Sequence, residues 1–382
     1  MSYSTQVATR KFVAPVEIIN FGPGFQPDLR QVPSLPNADV IRLRQYHSDF
    51  SKLFGQSPTY SLLLTSADAS KNPFFHGACA YLAERDELYI TSDLLQPADS
   101  SKLPTILISR VTLERPHAPA SLDICTLKWM KLRPPQTMTM PVGAIPYQHG
   151  VLYCSQGTLA PESGGLWHMP SGKPPVPVLT QFFGKPFNSI QNVTQDREGG
   201  LWFTDSDVGF ELELRPKPQL PNQVYRFDPK TRSLRVVADG FARPTGITLS
   251  PDESTIYITD TGKSYLGGKP DTRANAIYAY DVITRHNAPF LTNKRIFAVA
   301  LAGAPAGLAC DPMGNVYAAC EDGVEIWSPA GVALGLIEML GGCSSLCFGR
   351  HGELFICAKQ RLWMIQLERP KNISPTSGQK EA

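Results

Sequence analysis

Asn192-Val-Thr-Gln-Asp-Arg-Glu-Gly-Gly-Leu-Trp-Phe-Thr-Asp205 decides the fold, because it holds one structural unit in miniature. A short strand-like run enters a tight polar turn, and a second β-rich run leaves it on an aliphatic-aromatic pair, Leu201-Trp202. Alternating apolar and polar positions over four to eight residues, punctuated by glycine and aspartate, mark paired strands. The same design recurs around Leu88-Tyr89, Leu152-Tyr153, Ile256-Tyr257, Val316-Tyr317 and Leu354-Phe355. Successive pairs lie 64, 49, 55, 60 and 38 residues apart, which leaves room in each repeat for a four-stranded antiparallel sheet with unequal loops. Repeats of that length predict an all-β, six-bladed β-propeller.

A ring is the economical arrangement of such units. One blade cannot bury both of its faces, whereas six around an axis cover one another and leave few long exposed edges. No stretch reads as an amphipathic helix of three or more turns, so an α/β fold is not expected. The expected organisation is an N-terminal extension over residues 1–40, a propeller over 41–368 and a C-terminal tail over 369–382. A strand within Val13 to Ile19 or Ile41 to Leu53 is expected to complete the last blade.

The net charge of +2, with 18% charged residues and neither a basic stripe nor an acidic tail, argues against nucleic acid or an anionic membrane as a partner. A small, apolar molecule is the expected partner. No run approaches the roughly 18 apolar residues of a membrane span, and no apolar N-terminal segment reads as a signal peptide, so a cytoplasmic location is expected. Eight cysteines without a Cys-x-x-Cys pair read as free, mostly buried thiols.

From Asn188 through Gly262 the chain resembles the SMP-30/gluconolactonase/LRE-like superfamily in its fungal form. The resemblance is carried by Gly199-Gly-Leu-Trp-Phe-Thr-Asp205, Gln219-Leu-Pro-Asn-Gln-Val-Tyr-Arg-Phe-Asp-Pro229, Val236-Val-Ala-Asp-Gly240 and Leu249-Ser-Pro-Asp252 through Thr259-Asp-Thr-Gly262. It extends more weakly over about residues 50 to 367. The resemblance implies a six-bladed propeller, a calcium ion in the central channel, and lactone or ester hydrolysis. It also places four metal ligands, and here those positions fall on Gly77 in His76-Gly-Ala78, Gln191 in Asn188-Ser-Ile-Gln-Asn-Val193, Thr245 in Arg243-Pro-Thr-Gly246 and Ala306 in Pro305-Ala-Gly307. Calcium takes six to eight oxygens and relies on carboxylates. This set supplies none, so no metal and no other cofactor is expected, with Asp93, Asp205 and Asp207 as the acids from which a rebuilt site would draw.

No nucleophile elbow, zinc-protease motif, phosphate loop or dinucleotide fingerprint is present. The candidate catalytic groups are therefore Gln191 and Thr245, placed by the resemblance at the channel centre, and His76 beside Gly77 as acid, base or hydrogen-bond donor. Gln156, Asn188, Gly77, Ala306 and Ser344 are expected to line the substrate site, with Phe210 and Tyr265 in long loops as its lid or wall. The leading expectation is a metal-independent enzyme of fungal secondary metabolism. The chain is similar in style to the hetero-Diels-Alderases of tropolone-sesquiterpenoid (meroterpenoid) pathways, in which a tropolone ortho-quinone methide adds to a humulene-type terpene. A lactone or ester hydrolase with a rebuilt site, and a non-catalytic propeller that binds a hydrophobic ligand, are the alternatives.

Overall fold

The computed structural model describes residues 3–7, 11–19, 35–68, 70, 72–97, 104–116, 124–262 and 275–368. Six antiparallel blades surround one axis, and every repeat read from the sequence forms the innermost two strands of a blade. In the third blade these are Ile190–Gln195 and Leu201–Asp205, followed outward by Gln223–Asp228 and Ser233–Ala238. The aliphatic-aromatic pairs sit on the second strand of each blade, where both faces are covered by neighbouring sheets. Leu201, Trp202, Ile256, Val316, Tyr317, Leu354 and Phe355 are all at most 1% exposed. Burial on both faces explains why these strands read as almost continuous apolar runs. Helical structure among the described residues is confined to single turns such as Phe50–Phe54 and Val208–Glu211. Among the described residues no helix is long and apolar enough to cross a membrane.

The closing strand differs from the expectation. Thr59–Thr65 is the fourth strand of the sixth blade, paired antiparallel with Arg361–Gln366 at Tyr60↔Ile365 and Leu62↔Trp363. N- and C-terminal segments thus meet in one sheet. Ile41–Gln45 instead joins the outer strand Ala333–Met339 of the fifth blade. Its alternation explains the choice: Ile41 and Leu43 enter the core while Arg42 and Arg44 both reach Glu338, at 2.6 and 2.5 Å. Three shorter strands from the segment expected to be an extension also attach to blade edges. Tyr3–Val7 adds to the first blade, Lys11–Val13 to the sixth and Val16–Ile18, in parallel, to the fifth.

Candidate active site at the channel mouth

One recurring hydrogen bond marks where the inner strand begins in three of the six blades. Thr91 Oγ1 accepts the Ala78 N–H at 2.7 Å and donates to the carbonyl of Val142 in the next blade at 3.1 Å. Thr204 repeats this with the Asn192 N–H and the Thr245 carbonyl at 2.6 Å, and Thr259 with the Gly246 N–H and the Ala306 carbonyl at 3.2 Å. The residues just before these amides, Gly77, Gln191 and Thr245, therefore occupy equivalent positions. The Thr partners place Val142 and Ala306 in the same ring, and Ser344 follows because its carbonyl receives the Gly307 N–H at 3.1 Å. All six are half-buried, and the inner strands below them bound an axial space of about 240 Å³.

A second device holds the entry loops. The Asp205 carboxylate receives the amides of Asn188 and Ser189 at 3.0 and 2.7 Å, and Asp260 receives those of Ala242 and Arg243 at 2.9 and 2.7 Å. Burial pushes the Asp205 carboxyl up to about 7 against the opposing pull of those two amides. Asp205 is thus a loop anchor, and Asp207 accepts from Asn222 at 3.1 Å. Sequence reasoning passed over both devices, although their trace is visible as Thr204-Asp205 and Thr259-Asp260 closing the second strand of successive repeats.

The six mouth positions are Gly, Val, Gln, Thr, Ala and Ser, which offer calcium no carboxylate. Position 77 is also sterically closed: a Cβ there would lie 2.5 Å from Thr91 Oγ1 and 2.7 Å from the Val142 carbonyl. The donor set does not fit a calcium ion. Elsewhere, Cys320, Asp322 and Glu325 bring ligand-type atoms within 4.8 Å of one another, but they occupy the turn between the second and third strands of the fifth blade, and Glu325 already accepts the Leu301 and Ala302 amides at 2.9 and 3.3 Å.

The polar side chains at the mouth form three small groups. Gln191 donates to the Ser189 carbonyl at 2.7 Å and to its hydroxyl at 3.3 Å, and accepts from Gln156 Nε2 at 3.2 Å, so the two amides form one linked pair. Thr245 and Thr261 hydroxyls share a 2.7 Å bond, and both reach the Arg243 carbonyl at 3.3 Å. One hydroxyl donates to that carbonyl and the other to its neighbour; Thr261 is 1% exposed, so Thr245 is the half-buried member of the pair. His76 forms the third group with Ser344 and Asp93. Ser344 Oγ donates to the His76 carbonyl at 2.9 Å and therefore accepts from Nδ1 at 3.0 Å, leaving Nε2 toward Asp93 Oδ1 at 3.8 Å. Burial lowers the His76 pKa below its ordinary value, with Asp93 pulling it partly back. The ring is neutral near pH 7 and its Nε2 is the proton-exchanging edge. With its own proton committed to a carbonyl, Ser344 serves the histidine rather than attacking a substrate.

The remaining expected residues separate. Asn188 is 6% exposed and spans to Leu220, donating to its carbonyl at 2.8 Å and accepting its amide at 3.4 Å, so it pins a loop. Phe210 lies on the short helix Val208–Glu211 with its ring 45% exposed, and Tyr265 lies outside the described residues. Glu211 on that helix pairs with the buried Arg243, tying the helix to the strand that carries Thr245.

Fold and site together define a six-bladed propeller with its candidate site where the inner strands enter the axial channel. The family model described as SMP-30/Gluconolactonase/LRE-like region matches residues 135–360, and the chain belongs to that family. It is 27% identical over 321 residues to Lactonohydrolase oryL of Aspergillus oryzae, covering 78% of this chain and 67% of that one. It is 31% identical over 194 residues to a gluconolactonase of Zymomonas mobilis, spanning 50% of this chain and about half, 53%, of the relative. Among solved structures, the gluconolactonase XC5397 of Xanthomonas campestris superposes with a TM-score of 0.65 at 22% identity, covering 88% of this chain and 99% of that one.

Proposed function

We propose that the chain is a metal-independent enzyme acting on a small, largely apolar substrate at the channel mouth. The specific reaction we assign to it is the hetero-Diels-Alder addition of a tropolone-derived ortho-quinone methide to a humulene-type alkene. The observation that carries this reading is the uncharged set at the six equivalent mouth positions. A cycloaddition forms its bonds in one step and needs no Lewis acid. It needs two partners held in near-attack geometry, an advantage of several kcal/mol, and donors aimed at the oxygens on which charge accumulates. The Gln156–Gln191 pair is the group suited to donate, while neutral His76, through Nε2, and the Thr245 hydroxyl are suited to accept.

Lactone or ester hydrolysis is the second reading, and the names of the lactonohydrolase and gluconolactonase relatives favour it more directly than any cycloaddition. A neutral His76 beside Asp93 is suited to take a proton from an attacking water. Turnover of a tropolone alcohol with humulene, run beside a lactone panel with and without calcium and chelator, tests both. Chelator-insensitive acceleration and a changed product ratio are expected in the first assay. Calcium-dependent lactone hydrolysis would replace the proposal with the family's chemistry, and an unchanged product ratio with tight substrate binding would leave a carrier.

A further inference from the structure

Below the mouth, the inner strands of the first and sixth blades carry Cys79 and Cys347. Their Sγ atoms lie 3.2 Å apart across 268 residues of sequence, and both residues border the axial channel while their side chains pack into the core between the two blades. Neither thiol has a role in the site described above. We propose that Cys79 and Cys347 form an oxidisable dithiol that a small hydroperoxide entering the channel converts to a disulfide, riveting the first blade to the sixth.

The geometry is suited to the bond. A disulfide needs its sulfurs about 2.05 Å apart, so closure asks for a shift of roughly one ångström between two inner strands that already touch. The pair also has an internal choice of attacking sulfur. Hydrogen bonds from Cys347 and Cys357 draw the Cys79 thiol down to about 5, while burial and the shared proton push Cys347 and Cys357 up. Cys79, bonded by both neighbouring thiols, is accordingly the sulfur whose thiolate, the form that reacts with peroxides, is the better stabilised of the pair.

The chemistry balances with the hydroperoxide as oxidant. The Cys79 thiolate attacks the terminal peroxide oxygen, the O–O bond breaks, and the departing alkoxide takes up the proton that Cys79 released. Cys79 is left as a sulfenic acid. Cys347 then attacks that sulfur, the S–O bond breaks, and the hydroxyl leaves with the Cys347 proton as water. Two thiols are oxidised to one disulfide, and the peroxide is reduced to an alcohol and water.

The position gives the bond a structural consequence. The sixth blade closes the ring by pairing Thr59–Thr65 with C-terminal strands, and it meets the first blade through packing, ion pairs such as Arg115–Glu353, and chain connections after Val7 and after Thr65, with no covalent bond between the two inner strands themselves. A cross-link there constrains the unfolded chain over a very long loop.

Hydrogen peroxide added to the full-length reduced protein is the probe, read by intact mass and by non-reducing peptide mapping. Expected is loss of two hydrogens, a Cys79–Cys347 linked peptide, and a higher urea midpoint that reductant reverses. Cys125, exposed and distant in sequence from both, serves as an internal control for unselective oxidation. The link persists in Cys357→Ser and disappears in Cys347→Ser. Three results would overturn the proposal: a Cys79–Cys357 link, Cys79 trapped as a lasting sulfenic acid in the wild type, or oxidation confined to Cys125.

Discussion

The junction between the first and sixth blades has two unlike ends. At the turn end, charge is dense and fully matched: Arg115 donates to Glu353 at 2.6 Å and to Asp86 at 2.6 Å, while Arg350 donates to the Tyr81 hydroxyl at 2.6 Å, which donates on to Asp86 at 2.7 Å. At the mouth end of the same strands, His76 and Ser344 meet beside the uncharged Gly77, with a single half-exposed carboxylate, that of Asp93, 3.8 Å from the ring. The contrast separates two uses of polarity. Where both partners belong to the protein, ions are buried because every one is paired and hydrogen-bonded. Where one partner is to be a ligand, neutral groups keep desolvation cheap and leave donors and lone pairs for the visitor.

Truncating the ionic end breaks the comparison hardest. Arg115→Ala leaves Glu353, whose side chain is 2% exposed, without its counter-charge, and is expected to cost about 3–5 kcal/mol in urea unfolding. His76→Ala at the other end should cost well under half of that. At the mouth, Gln191→Ala is expected to lower kcat/KM by on the order of 10²-fold with the melting temperature unchanged. An unaltered rate would remove the glutamine pair from the mechanism.

Gly77→Ala sharpens the point that the first mouth position is closed. The added methyl meets Thr91 Oγ1 and the Val142 carbonyl at 2.5 and 2.7 Å, and a loss of roughly 1–3 kcal/mol is expected from overpacking in thermal unfolding. A stability equal to wild type would show that the mouth has room for a longer side chain.

The smallest effect is on pH. His76 is depressed in the folded state, so the unfolded chain binds more protons just below the ordinary histidine value of about 6.5. Its contribution to stability is complete above that value and is lost as pH falls through the folded pKa. Activity that uses the neutral ring should be level above neutrality and decline in acid, and His76→Gln should flatten that limb of the pH profile.

The repeats were legible because each lies within one short stretch and its partner strand follows within a few residues. Leu201-Trp202 and its five counterparts all became second strands. The ring's closure was not legible. Thr59–Thr65 finds Arg361–Gln366 across nearly the whole chain, and Lys11–Val13 and Val16–Ile18 are too short to show a period. Within the site, flanking motifs brought Gly77, Gln191, Thr245 and Ala306 to equivalent places. They said nothing of Ser189 taking the Gln191 amide hydrogen, of Thr245 and Thr261 sharing a hydrogen bond, nor of Asn188 being spent on Leu220.

Local patterning alone thus determined the blade count, the family and the absence of carboxylates at the four positions aligned by the flanking motifs, since alternation, turn residues and side-chain identity are all carried by neighbours in the chain. Tertiary structure alone decided which terminal strand seals the ring, which donors at the mouth remain free and which two thiols face each other. Those outcomes depend on contacts between residues hundreds of positions apart, and such contacts exist only once the six sheets have closed around their axis.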